Sequence, residues 1–249
     1  MKRFFLRLGF CLLLLPALGE GASAAGFSDW AVLLVAGDDH AHSGAPSQVF
    51  DNARRDLARA FTSIGFSPAN IVQFSVDPGK DAEQTDTSAI ANALWDLTDR
   101  AKGGCLIYFT SHGTPGGIVT NGGVLAPDTW SKIVSNACGK RPSVIVMSSC
   151  FSGQFVPGLE GPNRMVFTAA RPDRTSFGCG ESDKYPFFDA CVLETLPAAP
   201  DFPSLAPAVR SCVARREREE DMAPPSEPQV WIGSRFNTPR RAFATHAGR

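Results

Sequence analysis

The sequence predicts an α/β fold in which helices flank a mostly parallel central sheet. Four short apolar runs are bounded by glycine, proline or polar turns, which is typical of strands buried on both faces of a parallel sheet. Segments with an apolar stripe at helical spacing alternate with these runs, and this alternation favours right-handed crossovers in a doubly wound sheet. In such a sheet, ligands bind beyond the carboxyl ends of the strands.

Each element follows from its local pattern. The four buried strands are predicted at 30–36, 105–110, 143–147 and 165–170, and a fifth strand at 71–76 alternates polar and apolar residues and should lie nearer an edge. Helices are predicted at 49–64 and 88–100, with weaker patterns at 128–136 and 187–196. Asn121-Gly122 indicates a hairpin turn, and the segment 228–236 (PQVWIGSRF) indicates an added edge strand.

The chain divides into three parts. Residues 1–24 combine a basic start, an apolar run too short to span a bilayer and the small residues Ala22-Ser23-Ala24, so we expect a cleaved signal peptide and a secreted or periplasmic protein. Residues 25–212 are long and apolar enough for one catalytic domain. Residues 213–249 hold a charged, proline-rich stretch followed by the edge strand and tail, and the charge run is predicted to be a solvated helix face or tail.

The charge balance bears on the partners. The 24 Lys and Arg residues nearly match the 25 Asp and Glu residues, which gives a net charge of −1. Such a balance favours neither nucleic acid nor an anionic membrane surface as a partner. After removal of the signal peptide we expect no stable membrane insertion.

The cysteines predict a mixture of bridged and free thiols. Cys11 lies in the signal peptide, and six cysteines remain. An exported compartment permits disulfides, and if one thiol is kept for chemistry the other five cannot all pair. We expect Cys105, at the start of an apolar run, to stay reduced and to pack as a small hydrophobe. One bridge is expected among Cys179, Cys191 and Cys212.

Two reactive residues follow two of the predicted buried strands. His112 comes just after the strand 105–110, and Cys150 comes just after the strand 143–147, so both side chains should emerge at the same edge of the sheet. A thiol becomes a good nucleophile near neutral pH when an imidazole lies within hydrogen-bond reach. Gly113 adds an unobstructed backbone N–H that could stabilise an oxyanion. Alone, each residue would be interpreted as a satisfied histidine or a buried thiol; together they predict a catalytic pair.

Four segments carry a resemblance to a known family. They are WAVLLVAG near the start, TSHGTPGG around His112, SSCFSGQF around Cys150, and VFTAARPDRTSFGC after it. In combination they resemble the legumain, or C13, family of the caspase-like cysteine peptidases, over roughly residues 30–191. The resemblance implies a caspase-like three-layer fold, a peptide or protein substrate, and no metal or organic cofactor.

The resemblance also implies a role for each matching residue. Cys150 would attack the scissile carbonyl and form a thioester acyl-enzyme, while His112 would act as general base and acid and protonate the leaving amine. The amides of Gly113 and Cys150 would form the oxyanion hole. In asparagine-specific legumains the residue after the catalytic cysteine is acidic, whereas here it is Phe151, and their basic pocket residue has no clear match. Asparaginyl specificity is therefore not implied.

Several further residues could belong to the site. Asp51, Asn52, Ser176 and Asp189 fall in segments that could border the substrate pocket. The cluster of Asp38, Asp39, His40 and His42 has ligand types common in metal sites, although a solvated loop at the mouth of the site is the favoured interpretation. A narrower hypothesis is that one residue of this cluster orients His112.

Three other functions compete with the peptidase. Class I glutamine amidotransferases also place a cysteine at a sharp strand-to-helix turn, but their histidine follows the cysteine, and here only His246 in the terminal tail does so. A catalytically inactive binding module would be expected to lack His112 or Cys150. A transpeptidase or ligase would use the same pair and resolve the acyl-enzyme with an amine.

Overall fold

The computed structural model describes residues 26–121 and 123–239. The predicted signal peptide therefore lies outside the described residues. The strands are β1 (Trp30–Ala36), β2 (Ile71–Ser75), β3 (Glu83–Gln84), β4 (Gly104–Thr110), β5 (Gly113–Thr114), β6 (Gly117–Thr120), β7 (Gly123–Leu125), β8 (Ser143–Ser148), β9 (Arg164–Thr168) and β10 (Gln229–Ile232). The helices are α1 (Val49–Ser63), α2 (Thr87–Arg100), α3 (Pro127–Cys138), α4 (Val156–Leu159), α5 (Phe187–Thr195) and α6 (Phe202–Glu219).

The central sheet has seven strands in the order β10-β9-β8-β4-β1-β2-β3. All neighbouring pairs are parallel except β10 and β9, which are antiparallel. Every residue of β1, β4, β8 and β9 is buried, which explains why their sequences are largely apolar without alternation. The predicted parallel sheet is confirmed, with β2 next to the short edge strand β3 and β10 as the added edge strand.

Helices cover both faces of this sheet. Leu106 and Tyr108 of β4 pack on the side of α1, α5 and α6, whereas Ile107 and Phe109 pack on the side of α2 and α3. This arrangement confirms the predicted three-layer α/β fold. The strand β9 ends earlier than predicted because the Ala170 N–H donates to Ser152 Oγ and does not continue the ladder.

Side-chain caps mark the starts of α2 and α6. Asp86 accepts from the Ala89 N–H at the start of α2, and Asp201 accepts from the Ser204 N–H at the start of α6. The helix α6 runs through residues 212 and 213, so the charged stretch begins as its last two turns. Over the described residues, no helix is both long and apolar enough to cross a bilayer.

One disulfide links a helix to the central sheet, and a second links two helices to each other. Cys105 of β4 is bonded to Cys138 at the end of α3, with Cα atoms 6.1 Å apart, and Cys191 of α5 is bonded to Cys212 of α6. The prediction that Cys105 stays reduced is wrong, because α3 docks on the sheet face toward which Cys105 points. The expected bridge among the later cysteines is confirmed. Cys150 and Cys179 are free.

The disulfide that closes the longer loop should contribute more to the free energy of unfolding. Replacing both Cys105 and Cys138 by alanine is expected to lower the free energy of unfolding by about 4 kcal/mol, because the bridge closes a loop with a sequence separation of 33 residues. The matched pair Cys191→Ala and Cys212→Ala, with a separation of 21, should lower it by about 3 kcal/mol. Denaturant unfolding of each double variant would measure both losses. An unchanged midpoint would contradict the prediction.

Candidate active site

The predicted catalytic residues lie at the same edge of the sheet. β4 and β8 pair directly, with Thr110 opposite Ser148, and His112 and Cys150 each follow two residues later. The pairing continues one residue further, because the Ser111 N–H donates to the Ser148 carbonyl at 3.0 Å. Register therefore sets the backbones of the two reactive residues side by side, as the sequence predicts.

Gly113 allows these two backbones to approach closely. A Cβ added at this position would lie 2.0 Å from the Cys150 carbonyl oxygen and 2.9 Å from Ser149 Oγ. Only glycine leaves room for that contact. The small antiparallel sheet β5-β6-β7 begins at Gly113, and Thr120 of β6 pairs with Gly123 of β7, in agreement with the predicted hairpin turn.

The imidazole of His112 is held by one backbone contact and one ring contact. Its Nε2 lies 3.1 Å from the carbonyl oxygen of His40. Because a carbonyl only accepts hydrogen bonds, this contact places the proton on Nε2 and leaves the lone pair on Nδ1. The buried Phe50 ring packs edge-on against the imidazole, with centroids 5.0 Å apart. The residue of the 38–42 cluster that contacts the His112 ring is therefore His40, and it does so through its backbone carbonyl and not through its side chain.

The thiol of Cys150 is half-buried and interacts with Ser176. The Ser176 N–H donates to Sγ at 3.3 Å, and Sγ lies 3.7 Å from Ser176 Oγ. The thiol also lies within donating distance of the Ser176 carbonyl oxygen, at 3.6 Å. In the part of the chain that the structure describes, no hydrogen bond joins the imidazole of His112 to this thiol. Such contacts are often long before substrate binds.

The backbone turns sharply just after Cys150. Phe151 has a φ of 57°, in the left-handed region that is unusual for a non-glycine residue. Its N–H donates to the Arg174 carbonyl at 2.7 Å, which holds this turn against the segment that carries Ser176. Backbone strain of this kind is concentrated at functional sites.

The second free thiol, Cys179, differs in its ionisation. Burial, followed by the charge of Cys150, raises the pKa of Cys179 to about 11. Cys179 is therefore protonated near neutral pH, where the thiol is a weak nucleophile. Cys179 lies three residues after Ser176, the residue that contacts Cys150.

The acidic residues after β1 interact chiefly with one another. The His40 Nδ1 lies 3.0 Å from Asp38 Oδ1 and 2.9 Å from Asp39 Oδ1. The hydrogen bond with Asp38, followed by the charge of Asp39, raises the pKa of the exposed His40 ring. Asp38 Oδ1 also accepts from the backbone N–H groups of Asp39 and His40. The ligand-type atoms of Asp38, Asp39 and His40 all lie within 4.8 Å of one another, so the three side chains form one compact group at the end of β1.

Of the four residues expected to border the pocket, only Ser176 contacts Cys150. Asn52 donates through Nδ2 to the Lys184 carbonyl. Asp51 is buried and binds Arg54, and Asp189 is buried beneath the strand ends, so neither lines a pocket. Phe50 was not predicted as a site residue. Its spacing of seven residues from Leu57 puts it on the apolar stripe of α1, so its burial was predictable, whereas its contact with His112 depends on how α1 docks.

Comparison with known proteins agrees with this geometry. The sequence profile described as the Peptidase C13 family matches residues 22–196. The chain belongs to this family. Membership in the C13 family confirms the predicted relation to the legumain-like cysteine peptidases. No curated protein matches the chain.

Solved structures show the same fold for this C13 family member. Among 235 matching chains, caspase-1 from Spodoptera frugiperda superposes with a TM-score of 0.61 at 14% sequence identity, covering 83% of this chain and 87% of that one. At this identity the likeness shows the fold alone. The predicted caspase-like architecture is confirmed.

Proposed function

We propose that this C13 family member is a cysteine endopeptidase in which Cys150 is the nucleophile and His112 the general base and acid. The observation that carries the proposal is the close approach of Gly113 to Cys150 at paired strand ends, beside an imidazole whose Nε2 is bonded to the His40 carbonyl. Nucleophile, base and backbone donors then lie on one edge of a rigid sheet. The substrate is a peptide or protein.

The protonation state of His112 defines the first chemical step. With Nε2–H donated to His40, Nδ1 takes the proton of the Cys150 thiol, and the thiolate attacks the scissile carbonyl carbon. The carbonyl oxygen becomes an oxyanion, which accepts hydrogen bonds from the amides of Gly113 and Cys150. These donors belong to the fixed backbone, so little reorganisation is needed as the charge develops.

The intermediate then collapses in two stages. The C–N bond breaks, and Nδ1–H of His112 gives its proton to the departing amine, which leaves a thioester on Cys150. Water attacks the thioester while His112 removes one of its protons, and the carboxylic acid product is released as the thiol reforms. If an amine replaces water, the same thioester yields a new peptide bond, so product analysis with an added amine distinguishes hydrolysis from ligation.

Covalent labelling tests the nucleophile directly. The purified chain without its signal peptide is treated with acyloxymethyl ketone peptides that vary at P1, and adducts are located by mass spectrometry. We expect one adduct, on Cys150, with a rate that depends on the P1 side chain. The matched control is Cys179→Ala, which removes the other free thiol and should label normally, whereas Cys150→Ala should not label.

The same experiment decides between the peptidase and its alternatives. Graded labelling would also define the P1 preference that Phe151 leaves open. Labelling confined to Cys179, or none with any probe, would rule out the proposed nucleophile and favour a binding role for the domain.

A further inference from the structure

Asp189 of α5 is a buried carboxyl group to which the proposed mechanism assigns no role. Its side chain is fully buried, and its two oxygens accept hydrogen bonds from Tyr108 Oη and Thr110 Oγ1, each at 2.5 Å. The Ser148 hydroxyl is the third polar group that faces it. No cation pairs with this carboxyl among the described residues. A buried carboxylate surrounded only by hydroxyl groups is costly, so its presence needs a physical explanation.

Two of the three groups that face Asp189 lie at the ends of the strands that precede His112 and Cys150, the proposed catalytic dyad. Thr110 is the last residue of β4, two residues before His112, and Ser148 is the last residue of β8, two residues before Cys150. These two partners lie directly opposite each other in the β4–β8 pairing. One carboxyl group therefore spans both strand ends from the helical layer.

The helix that carries Asp189 also connects to the segment that contacts the thiol. The helix α5 begins at Phe187, whose N–H donates to the Phe177 carbonyl at 2.9 Å. Phe177 follows Ser176, the residue whose N–H donates to Cys150 Sγ. Asp189 thus joins three elements around the reactive sulfur: the end of β4, the end of β8 and the segment that leads into α5.

We infer that Asp189 is a positioning residue: its carboxylate holds the ends of β4 and β8 against α5, so that His112 and Cys150 keep the separation needed for proton transfer. The inference rests on the proposed function of the dyad. As a carboxylate, Asp189 accepts hydrogen bonds from Tyr108 and Thr110 at once, and the Ser148 hydroxyl also faces it. Protonation turns one of its oxygens into a donor, and the hydroxyl group that faces this oxygen must then rotate, which loosens the link between the strands.

The ionisation of Asp189 makes the inference testable. Burial raises its pKa to about 6, although Thr110, Tyr108 and Ser148 each act to lower it. The groups that face it are Tyr108 and Thr110 from β4 and Ser148 from β8, and no charged side chain of α1 or α6 contributes to this pKa. Burial and the charge of Asp189 raise the pKa of Tyr108, so its hydroxyl remains a donor.

Stability and activity should respond to pH in opposite directions. The folded-state pKa of Asp189 lies above the usual value of 3.8, so its contribution to stability is complete below about pH 4 and is lost as pH rises through about 6. The positioning role instead requires the ionised form, so the rate should fall as pH drops through about 6. A purely structural carboxyl group would change stability without changing the rate.

The test compares Asp189→Asn with the wild type by the rate of covalent labelling of Cys150 with the best acyloxymethyl ketone probe. At pH 8 we expect the maximal labelling rate to fall ~10- to 100-fold with little change in probe affinity, because small misplacements of reacting groups have effects of this size. The thermal midpoint should stay the same or rise, since the variant removes a buried charge. The wild-type rate should fall as pH drops through about 6, where Asp189 becomes protonated, and the variant should lack this part of the pH dependence.

Two further variants keep the inference falsifiable if Asp189→Asn folds poorly. Thr110→Val removes the Asp189 partner at the end of β4, two residues before His112, and should slow labelling. Tyr108→Phe removes the partner four residues before His112 and should slow it less. Unchanged maximal rates in both Asp189→Asn and Thr110→Val would overturn the positioning role while wild-type labelling still supports the dyad. Absence of labelling in the wild type would instead overturn the proposed function.

Discussion

Replacing Cys150 by alanine is expected to abolish peptide hydrolysis, and replacing His112 by alanine to lower kcat/KM by at least ~10³-fold. The first change removes the sulfur on which the proposed thioester forms. The second removes the group proposed to deprotonate the thiol and to protonate the leaving amine, and the proposed mechanism needs both steps in every turnover. Steady-state hydrolysis of a peptide with the P1 residue preferred in labelling would measure both losses.

The two changes should not add. When two residues act in the same chemical step, removing either one already removes most of the rate enhancement. The double variant Cys150→Ala/His112→Ala should therefore be no less active than Cys150→Ala alone. The control is Cys179→Ala, which should retain activity within about threefold, because its thiol, with a pKa of about 11, is protonated at the assay pH. Losses that multiply, or activity that depends on Cys179, would contradict the proposed dyad.

Replacing Gly113 by alanine is the second change for which we expect a large effect. The added Cβ would lie 2.0 Å from the Cys150 carbonyl oxygen, a backbone atom that cannot rotate away. Either β5 or the turn at Cys150 must shift, and both movements displace amides proposed to bind the oxyanion. We expect kcat/KM to fall ~10²- to 10³-fold, the size of effect seen when an oxyanion donor is lost.

A nearby glycine provides the control for this substitution. At Gly116, which is exposed, an added Cβ would meet only Thr114 Oγ1, at 3.6 Å. Gly116→Ala should therefore keep kcat/KM within about threefold and leave the thermal midpoint unchanged. If Gly113→Ala were as active as Gly116→Ala, catalysis would not depend on the close approach of Gly113 to Cys150.

The local sequence determined the sheet and the position of the two reactive residues. Buried parallel strands are apolar throughout, so 30–36 and 105–110 could be recognised from composition alone, and the structure places β1 and β4 there. Because parallel strands present their carboxyl ends at one edge, residues that follow two neighbouring strands must meet. His112 and Cys150 were therefore predictable as a pair without knowledge of any loop.

Contacts between segments distant in the chain were decided only by the tertiary structure. The sequence did not indicate that α3 would bring Cys138 to Cys105, that the His40 carbonyl would bond His112, or that Asp189 would lie under the strand ends. The periodicity of a segment shows which of its faces is buried. Which residues pack against that face depends on how the helices dock on the sheet and on the paths of the loops. Those contacts fix the tautomer of His112 and the environment of Cys150, so the sequence by itself determined which residues pair, and the packing of the layers decided how they are held.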